Sequence, residues 1–306
     1  MTAPSRSFLP VIDRPIDNTA MSCYLACPRE YHYSMVQHRR GNGRSPALVF
    51  GSAWHKALET HYRTGGNRDA VIYETTMAWE GHDSPDDYRT LDRVLLDYDR
   101  YVKKYGLPDG PDDEGKTVGY PGNPLVEIAT EASVNGLLHP WTGKLDRIIS
   151  LGGLIYVEDY KTTSRLDKHY FRQFDLSNQM MGYTMLGKAL LPSYNVVGVR
   201  VNVAHVLTKT TEFYREIFPY SPSRIEEWVR NMNTWMKRLA HDYEMLAAGD
   251  EDAFPGHYGD NGCSRKFGMC QYHPVCGASP RLRQAMLDRE YEINVWNPLE
   301  GVTDAE

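Results

Sequence analysis

The sequence contains no apolar run of about 18 residues, the length that a membrane-spanning helix requires. Its first residues, MTAPSRSFLPVIDRP, include no apolar stretch of a secretory signal, so we expect a cytoplasmic protein without a membrane partner. It contains no internal repeat and no low-complexity segment. Excess positive charge is also missing, since the formal net charge is −6. Any contact with nucleic acid would therefore need a local basic patch, such as residues 37–44 or 279–284, although each is also typical of a solvated surface.

Apolar periodicity predicts helices in the first third of the chain, strands in the middle and one long helix after them. A chain of 306 residues can bury one large core, so we predict a single α/β domain with short additions at both ends. The predicted parts are an extension at 1–19, a helical part at 20–106, a core at 125–220 with a helix at 169–191, a helix and cysteine-bearing loop at 221–277, and a tail at 278–306.

A two-residue glycine turn lies between two strand-like segments, GKLDRIISL and LIYVEDYKT. Gly152–Gly153 favours a tight hairpin, because the turns that suit hairpins need positive φ angles. If these glycines are the loop, Leu151 pairs with Leu154. The same register places Asp146 directly opposite Asp159.

The predicted hairpin places charged side chains together on one face. Side chains alternate along a strand, so Asp159 and Lys161 share a face and Glu158 points to the other. Two opposed carboxylates repel each other, whereas a Mg²⁺ or Mn²⁺ ion between them would make the interaction favourable. We therefore predict a metal site for phosphate hydrolysis, in which Glu158→Gln lowers cleavage far less than Asp146→Ala, Asp159→Ala or Lys161→Ala. The alternative is a surface hairpin with a solvated charge pair.

Several motifs resemble those of the PD-(D/E)XK nucleases, specifically their RecB-like branch. GKLDRI followed by VEDYKT resembles the Asp…Asp-x-Lys core of that family. GSAWHKALE resembles its upstream helix with a metal-binding His, here His55. NQMMGYTMLG resembles its Gln-x-x-x-Tyr signature, here Gln179 and Tyr183, and ACPREYHYSM resembles the N-terminal cysteine motif of its iron–sulfur members, here Cys27. The resemblance extends from about residue 20 to residue 277.

The resemblance implies a restriction-endonuclease-like core, with a mixed central sheet flanked by helices. It implies Mg²⁺ or Mn²⁺ held by His55, Asp146 and Asp159, a water oriented by Lys161, and a DNA strand placed by Gln179 and Tyr183. The implied activity is exonuclease action on DNA, single-stranded or at its ends, in recombination, repair, phage or CRISPR-related processing, together with partner proteins of those systems. A non-catalytic DNA-binding or scaffold module and a structural zinc protein are the alternatives.

A further carboxylate, Glu131, stands on the strand predicted before the hairpin. It is a candidate for the same metal site, but an ordinary exposed strand residue is the simpler interpretation.

Five cysteines test the resemblance separately. The three in CSRKFGMCQYHPVC lack the Cys-x-x-Cys spacing of zinc ribbons, and disulfides would be unusual in a cytoplasmic protein. In the iron–sulfur nucleases that the chain resembles, of the AddB and CRISPR-associated type, one N-terminal cysteine and three C-terminal ones hold a [4Fe–4S] cluster, and thiolates suit such a cluster. The resemblance thus implies a cluster on Cys27, Cys263, Cys270 and Cys276, with Cys23 left over. Zinc in the same place, or four reduced structural cysteines, are the alternatives.

Overall fold

A computed structural model gives the fold and describes residues 11–12, 14–41, 45–80, 87–120, 123–134, 136–258, 262–265 and 268–299. These residues form two compact units. Unit 1 takes the described residues of Met1–Gly43, Glu131–Thr142 and Glu226–Glu300, and unit 2 takes those of Arg44–Thr130 and Gly143–Ile225. Among the described residues, no helix is both long enough and apolar enough to cross a bilayer.

The helices within the described residues, in chain order, are α1 Asn18–Ala26, α2 Pro28–Tyr31, α3 Pro46–Arg63, α4 Arg68–Met77, α5 Leu91–Tyr105, α6 Asn178–Leu190, α7 Pro222–Ala247, α8 His273–Gly277 and α9 Arg283–Glu290. A π-helical turn, His32–Val36, continues α2, and short 3₁₀ helices occupy Phe171–Phe174 and Pro280–Leu282.

The strands are β1 Arg39–Arg40, β2 Lys116–Thr117, β3 Gly119–Tyr120, β4 Asn123–Pro124, β5 Val126–Ala132, β6 Trp141–Leu151, β7 Leu154–Thr163, β8 Val196–Val206, β9 Thr211–Pro219, β10 Ser264–Arg265, β11 Gly268–Met269 and β12 Glu292–Ile293.

A six-stranded mixed sheet forms the centre of unit 2. Its strand order is β2-β6-β7-β8-β9, and β5 also pairs with β6. β7 and β8 are parallel because α6 provides the crossover between them, whereas β6–β7 and β8–β9 are antiparallel. The predicted α/β fold with a mixed central sheet is therefore confirmed.

Helices cover both faces of this sheet. On one face, α3 and α5 share a buried apolar cluster with Tyr160, Ala204 and Phe213. On the other face, α6 packs against β7 and β8, and a Cβ atom added at Gly187 would lie 2.9 Å from Val157. Val157 and Tyr160 point to opposite sides because side chains alternate along β7. The sheet is thus flanked by helices, as predicted.

Capping residues account for the beginnings of the helices that position the site. The hydroxyl groups of Ser45, Thr90 and Ser177 accept backbone N–H groups in the first turns of α3, α5 and α6. Gly106, with a φ angle of 72°, ends α5 as predicted. The helix predicted over 169–191 begins later, because Ser177 caps it and the preceding Phe171–Phe174 forms a separate 3₁₀ turn.

The β6–β7 hairpin has the predicted turn and register. Gly152 and Gly153 have φ angles of 59° and 80°, the positive values that the tight turn requires. Leu151 pairs with Leu154, and the pairing continues to Arg147 opposite Glu158. This register fixes which side chains of the hairpin lie on each face of the sheet.

The face that carries Glu158 contains a buried ionic network. Glu158 is fully buried, and its carboxylate accepts hydrogen bonds from Arg147 Nη1 at 3.1 Å and from Arg200 Nε at 2.8 Å. Arg147 and Arg215 also bind Asp113, at 2.9 and 3.0 Å. Burial alone would raise the pKa of Glu158, but the three arginines lower it to about 2. The expectation that Glu158→Gln lowers cleavage less than loss of Asp159 stays a prediction. The substitution should nevertheless lower stability, because the neutral residue would leave buried guanidinium groups without their carboxylate.

Unit 1 is built around α7. Trp141, at the start of β6, packs edge to face on Trp228 of α7, with ring centroids 5.3 Å apart. Ser221 caps α7 through the N–H of Arg224, as predicted. The region predicted as a polar tail contains α9 and β12, and β12 pairs with β1 through Arg39 and Ile293. Residues 42–44 of the basic patch at 37–44 lie outside the described residues.

Candidate active site

Two predicted carboxylates lie where the β6–β7 ladder ends. Asp146 and Asp159 lie one position beyond the last backbone pair of the ladder, Arg147–Glu158. The exposed fractions of the two residues are 6% and 1%. The alternative of a solvated surface pair is therefore wrong, because both groups are buried. A buried charge is costly unless it is paired or binds a metal ion.

Asp146 is held by two donors. Its Oδ2 accepts the backbone N–H of Tyr160 at 2.6 Å, and its Oδ1 lies 3.3 Å from Nδ1 of His55 on α3. Burial would raise the pKa of Asp146, but the His55 imidazole holds that pKa below its ordinary value. Burial would likewise lower the pKa of His55, but the Asp146 carboxylate raises it. The structure thus brings the predicted His and the first predicted Asp together.

Asp159 and Lys161 form an ion pair, with Lys161 Nζ 2.6 Å from Asp159 Oδ2. Burial, together with the charge of Asp146, raises the pKa of Asp159, although Lys161 opposes this shift. The two predicted residues therefore share a face, and Lys161 retains donors for a further oxygen because an ammonium group has three.

The sequence analysis missed Glu127 on β5. This residue has a φ angle of 54°, rare for a side chain other than glycine, and its carboxylate forms an ion pair with Lys144. Burial and the charge of Asp146 raise the pKa of Glu127. Glu131, the carboxylate that the sequence analysis considered on this strand, is exposed. The available signal was an acid in the apolar run LVEIAT.

His55, Glu127 and Asp146 fit a divalent cation. Each offers one ligand atom, and these atoms all lie within 4.8 Å of one another. Two carboxylates and one imidazole suit Mg²⁺ or Mn²⁺, with the nitrogen favouring Mn²⁺. Asp159 is not a member of this set, but its negative charge is repelled by that of Asp146, which is a member. A cation would relieve this repulsion.

A second buried acid, Glu59, stands one helical turn after His55. Its carboxylate lies 2.6 Å from Lys56 Nζ and 2.8 Å from Arg63 Nη1. Two cations already neutralise it, so its charge is satisfied without a metal ion.

The predicted Gln179–Tyr183 pair lies on α6. Gln179 Nε2 donates to the Tyr183 hydroxyl at 3.0 Å, as expected for residues one helical turn apart. The Tyr183 ring lies so close to Gly143 that a Cβ atom there would be 3.1 Å from it. Glycine at this position therefore lets α6 approach β6, three residues before Asp146.

The four cysteines implied as cluster ligands belong to unit 1. Cys270 donates its backbone N–H to the carbonyl of Cys263 at 2.7 Å, across the β10–β11 hairpin. Cys276 follows on α8, and burial raises the pKa of its thiol, with Arg29 opposing the shift and the Cys27 thiol adding to it. Cys27 is buried, and its sulfur accepts the N–H of His257 at 3.4 Å. Cys27 and Cys276 therefore influence each other electrostatically.

The spacing of these sulfurs differs from that of a tetrahedral zinc site. Thiolates on one zinc ion lie about 3.8 Å apart, since each Zn–S bond is about 2.3 Å long. Within the described part of the chain, no three cysteines have sulfurs that all lie within 4.8 Å of one another. The [4Fe–4S] cluster stays a prediction. The leftover Cys23 has its sulfur 3.4 Å from the hydroxyl of Ser34.

Comparisons with known proteins give one family. No curated protein matches the chain. Among solved structures, a provisionally named exonuclease from Eubacterium rectale is 13% identical, with a TM-score of 0.42 over 82% of this chain and 87% of that one. A structure titled SSO0001 is 15% identical, with a TM-score of 0.27 over 74% and 84%. Neither likeness carries an argument by itself. The model of the PD-(D/E)XK nuclease superfamily matches residues 18–277. The chain therefore belongs to the PD-(D/E)XK nuclease superfamily.

Proposed function

We propose that the protein is a metal-dependent DNA exonuclease that hydrolyses phosphodiester bonds at DNA ends. One observation carries the proposal: His55, Glu127 and Asp146 converge at the place where Asp159 and Lys161 meet the end of the β6–β7 ladder. The chemistry needs a cation site beside a fixed ammonium group, and this place offers both.

The metal ligands in this proposal are His55, Asp146 and Asp159, with Glu127 added from the structure. When bound, Mg²⁺ or Mn²⁺ supplies Lewis acidity at a phosphate oxygen. The Tyr160 N–H and the His55 ring hold both oxygens of Asp146, so the carboxylate is oriented before any substrate arrives.

Lys161 orients the attacking water in this proposal. Its ammonium group is fixed by Asp159 and can donate to the water and to the charge that develops on the phosphate. The water oxygen forms the new bond to phosphorus and the bond to the departing sugar oxygen breaks. The water proton passes to a carboxylate of the site, and the departing oxygen takes up a proton from solvent to become a hydroxyl group. Gln179 and Tyr183, joined by their hydrogen bond, place the DNA strand.

We assign the protein to the cytoplasm, in recombination, repair, phage or CRISPR-related DNA processing, with partner proteins of those systems. A nuclease of this kind acts where DNA is accessible, and free thiols persist in a reducing compartment. The family membership supports a DNA substrate.

The proposed activity is tested with end-labelled linear DNA and a closed circle of the same sequence. Anaerobically purified protein should degrade the linear strand with Mn²⁺ or Mg²⁺ and should not degrade it with EDTA. Rapid cutting of the circle would indicate an endonuclease instead. Binding to DNA without cleavage under every metal condition would indicate a non-catalytic binding module.

His55→Ala should weaken binding of the metal ion, because it removes one ligand and leaves the carboxylates in place. We expect a trace of cleavage, a raised half-saturating metal concentration and loss of most of any Mn²⁺ advantage, because imidazole favours Mn²⁺ over Mg²⁺. Titrating both metals against cleavage of a linear strand measures this. A lower melting temperature with unchanged metal dependence would instead make His55 a structural residue.

We also propose a [4Fe–4S] cluster on Cys27, Cys263, Cys270 and Cys276. The backbone hydrogen bond between Cys263 and Cys270, and the electrostatic effect of Cys27 on the Cys276 thiol, support a shared site. Four thiolates are the usual ligands of this cluster, and its role here would be to tie the start of the chain to the C-terminal loop.

Replacing one proposed ligand, as in Cys27→Ser, should lower bound iron and the melting temperature. Cys23→Ser is the matched control, one helical turn away, and it should change neither. Iron analysis and absorbance near 400 nm follow the cluster after anaerobic purification. If iron is retained in Cys27→Ser and lost in Cys23→Ser, Cys23 is the ligand and Cys27 is not. If the protein contains stoichiometric zinc and no iron, the four cysteines form a zinc site.

A further inference from the structure

Unit 1 contains an open groove of about 600 Å³ beside the second half of α7. The end of α1 and the segment 255–257 form its other side. Beside apolar side chains, its lining includes two aromatic rings, two cationic groups and two imidazoles, which are Tyr24, Trp235, Lys237, Arg238, His241 and His257. None of these residues belongs to the proposed catalytic site, so the groove calls for a separate explanation.

Two cationic side chains line the groove although the chain as a whole is negative. Lys237 and Arg238 are exposed on α7, and His241 lies one helical turn after Lys237 on the same face. Among the described residues, Lys237 forms no ion pair. Asp242 is the one acid among the described lining residues, and its carboxylate already accepts the hydroxyl hydrogen of Tyr24 at 2.7 Å. A net charge of −6 repels polyanions in general, so a local group of cations is what could hold one.

An aromatic surface stands beside these cations. The guanidinium of Arg238 lies over the Trp235 ring, 4.7 Å from its centroid. This stacking orders a long side chain beside a flat ring. Bases of an unpaired strand stack on such rings, while their phosphates contact the neighbouring cations.

We propose that this groove binds a short stretch of single-stranded nucleic acid. Phosphates would contact Lys237 and Arg238, and a base would stack against the pair that Trp235 forms with the Arg238 guanidinium. An unpaired strand fits better than a duplex, because the bases of a duplex are stacked on each other and do not offer their faces to Trp235. The inference rests on the proposed function, since it names a place where the proposed substrate strand is held.

The test measures binding of a fluorescent oligothymidine in EDTA, which removes the divalent cations, so that binding is measured without cleavage. In the full-length protein, K237E/R238E should weaken binding at least tenfold. It should also reduce the slope of log affinity against log salt by about 0.7 for each phosphate that the variant no longer neutralises. The neutral variant K237Q/R238Q should weaken binding less, in the same direction. The matched control is R230E/R289E, which makes the same charge change at exposed positions of unit 1 outside both the groove and the basic patch at 279–284.

Each result decides the proposal. Weaker binding by K237E/R238E with an unchanged melting temperature, and no comparable weakening in R230E/R289E, supports the proposal. Equal weakening in both variants would mean that net charge alone governs binding, and this would overturn the proposal that the groove is the binding site. Equal weakening for a duplex of the same length would overturn the single-strand assignment. Absence of any cleavage would refute the proposed nuclease activity and leave this binding result standing. Cleavage together with unaffected binding in K237E/R238E would refute only the proposal that the groove binds the strand.

Discussion

Asp159→Asn is expected to abolish DNA cleavage, by about a thousandfold or more, while the fold remains intact. The loss follows because the substitution removes a carboxylate beside the proposed metal ion and frees Lys161 from its ion pair, and metal-ion stabilisation provides several kcal/mol of catalysis. The protein without metal should be equally stable or more stable. Burial and the Asp146 charge already disfavour the ionised form of Asp159, as its raised pKa indicates.

Two measurements separate these effects. Cleavage of an end-labelled strand reports activity, and thermal unfolding in EDTA and in Mn²⁺ reports stability and metal binding. Glu131→Gln is the matched control, because it neutralises an exposed carboxylate and should retain activity. Cleavage by Asp159→Asn at the rate of the unmodified protein would remove Asp159 from the catalytic site.

The neighbouring substitution, Glu158→Gln, should have the opposite profile. We expect it to lower the free energy of unfolding by about 3–5 kcal/mol, since removing one partner leaves buried guanidinium groups uncompensated. Arg147 and Arg200 are each at most 1% exposed, so water cannot replace the missing carboxylate. Denaturant unfolding measures the loss of stability, and Glu216→Gln, at an exposed carboxylate on β9, should cost little.

The difference in stability between Glu158→Gln and the unmodified protein should depend on pH. The folded-state pKa of Glu158 is lowered to about 2 from an ordinary value of 4.5. Its stabilising contribution is therefore fully present above pH 4.5 and is lost as the pH falls toward 2. Melting temperatures of both proteins between pH 7 and pH 3 should converge. A constant difference across this range would contradict the ion-pair explanation.

The sequence predicted the hairpin well, because the information is local. Gly152–Gly153 specifies the turn, and alternation then assigns Asp159 and Lys161 to one face. His55 was identified in a different way, through the resemblance of GSAWHKALE to a family motif. Burial of both aspartates could not be predicted from local sequence, because it depends on helices that are distant in the chain.

The errors come from interactions at long range and from unusual backbone. Alternation gave the face of Glu158 but not its partners, because Arg200 and Arg215 come from β8 and β9. Glu127 was missed because its φ angle of 54° aims the carboxylate in a way that no regular strand pattern predicts. The aromatic run before Ser177 imitated a helical pattern, and only the cap reveals where α6 begins.

The two-faced hairpin has a consequence for folding. Because side chains alternate, a slip of β7 by one residue along β6 would turn Glu158 away from Arg147 and present Asp159 and Tyr160 to the wrong surroundings. Such a slipped state would bury guanidinium groups without a carboxylate and is therefore strongly disfavoured. Lengthening the Gly152–Gly153 turn by one residue should consequently yield a protein that misfolds or bulges locally, not one with a shifted strand. The buried arginines thus favour the strand register that places Asp146 beside Asp159.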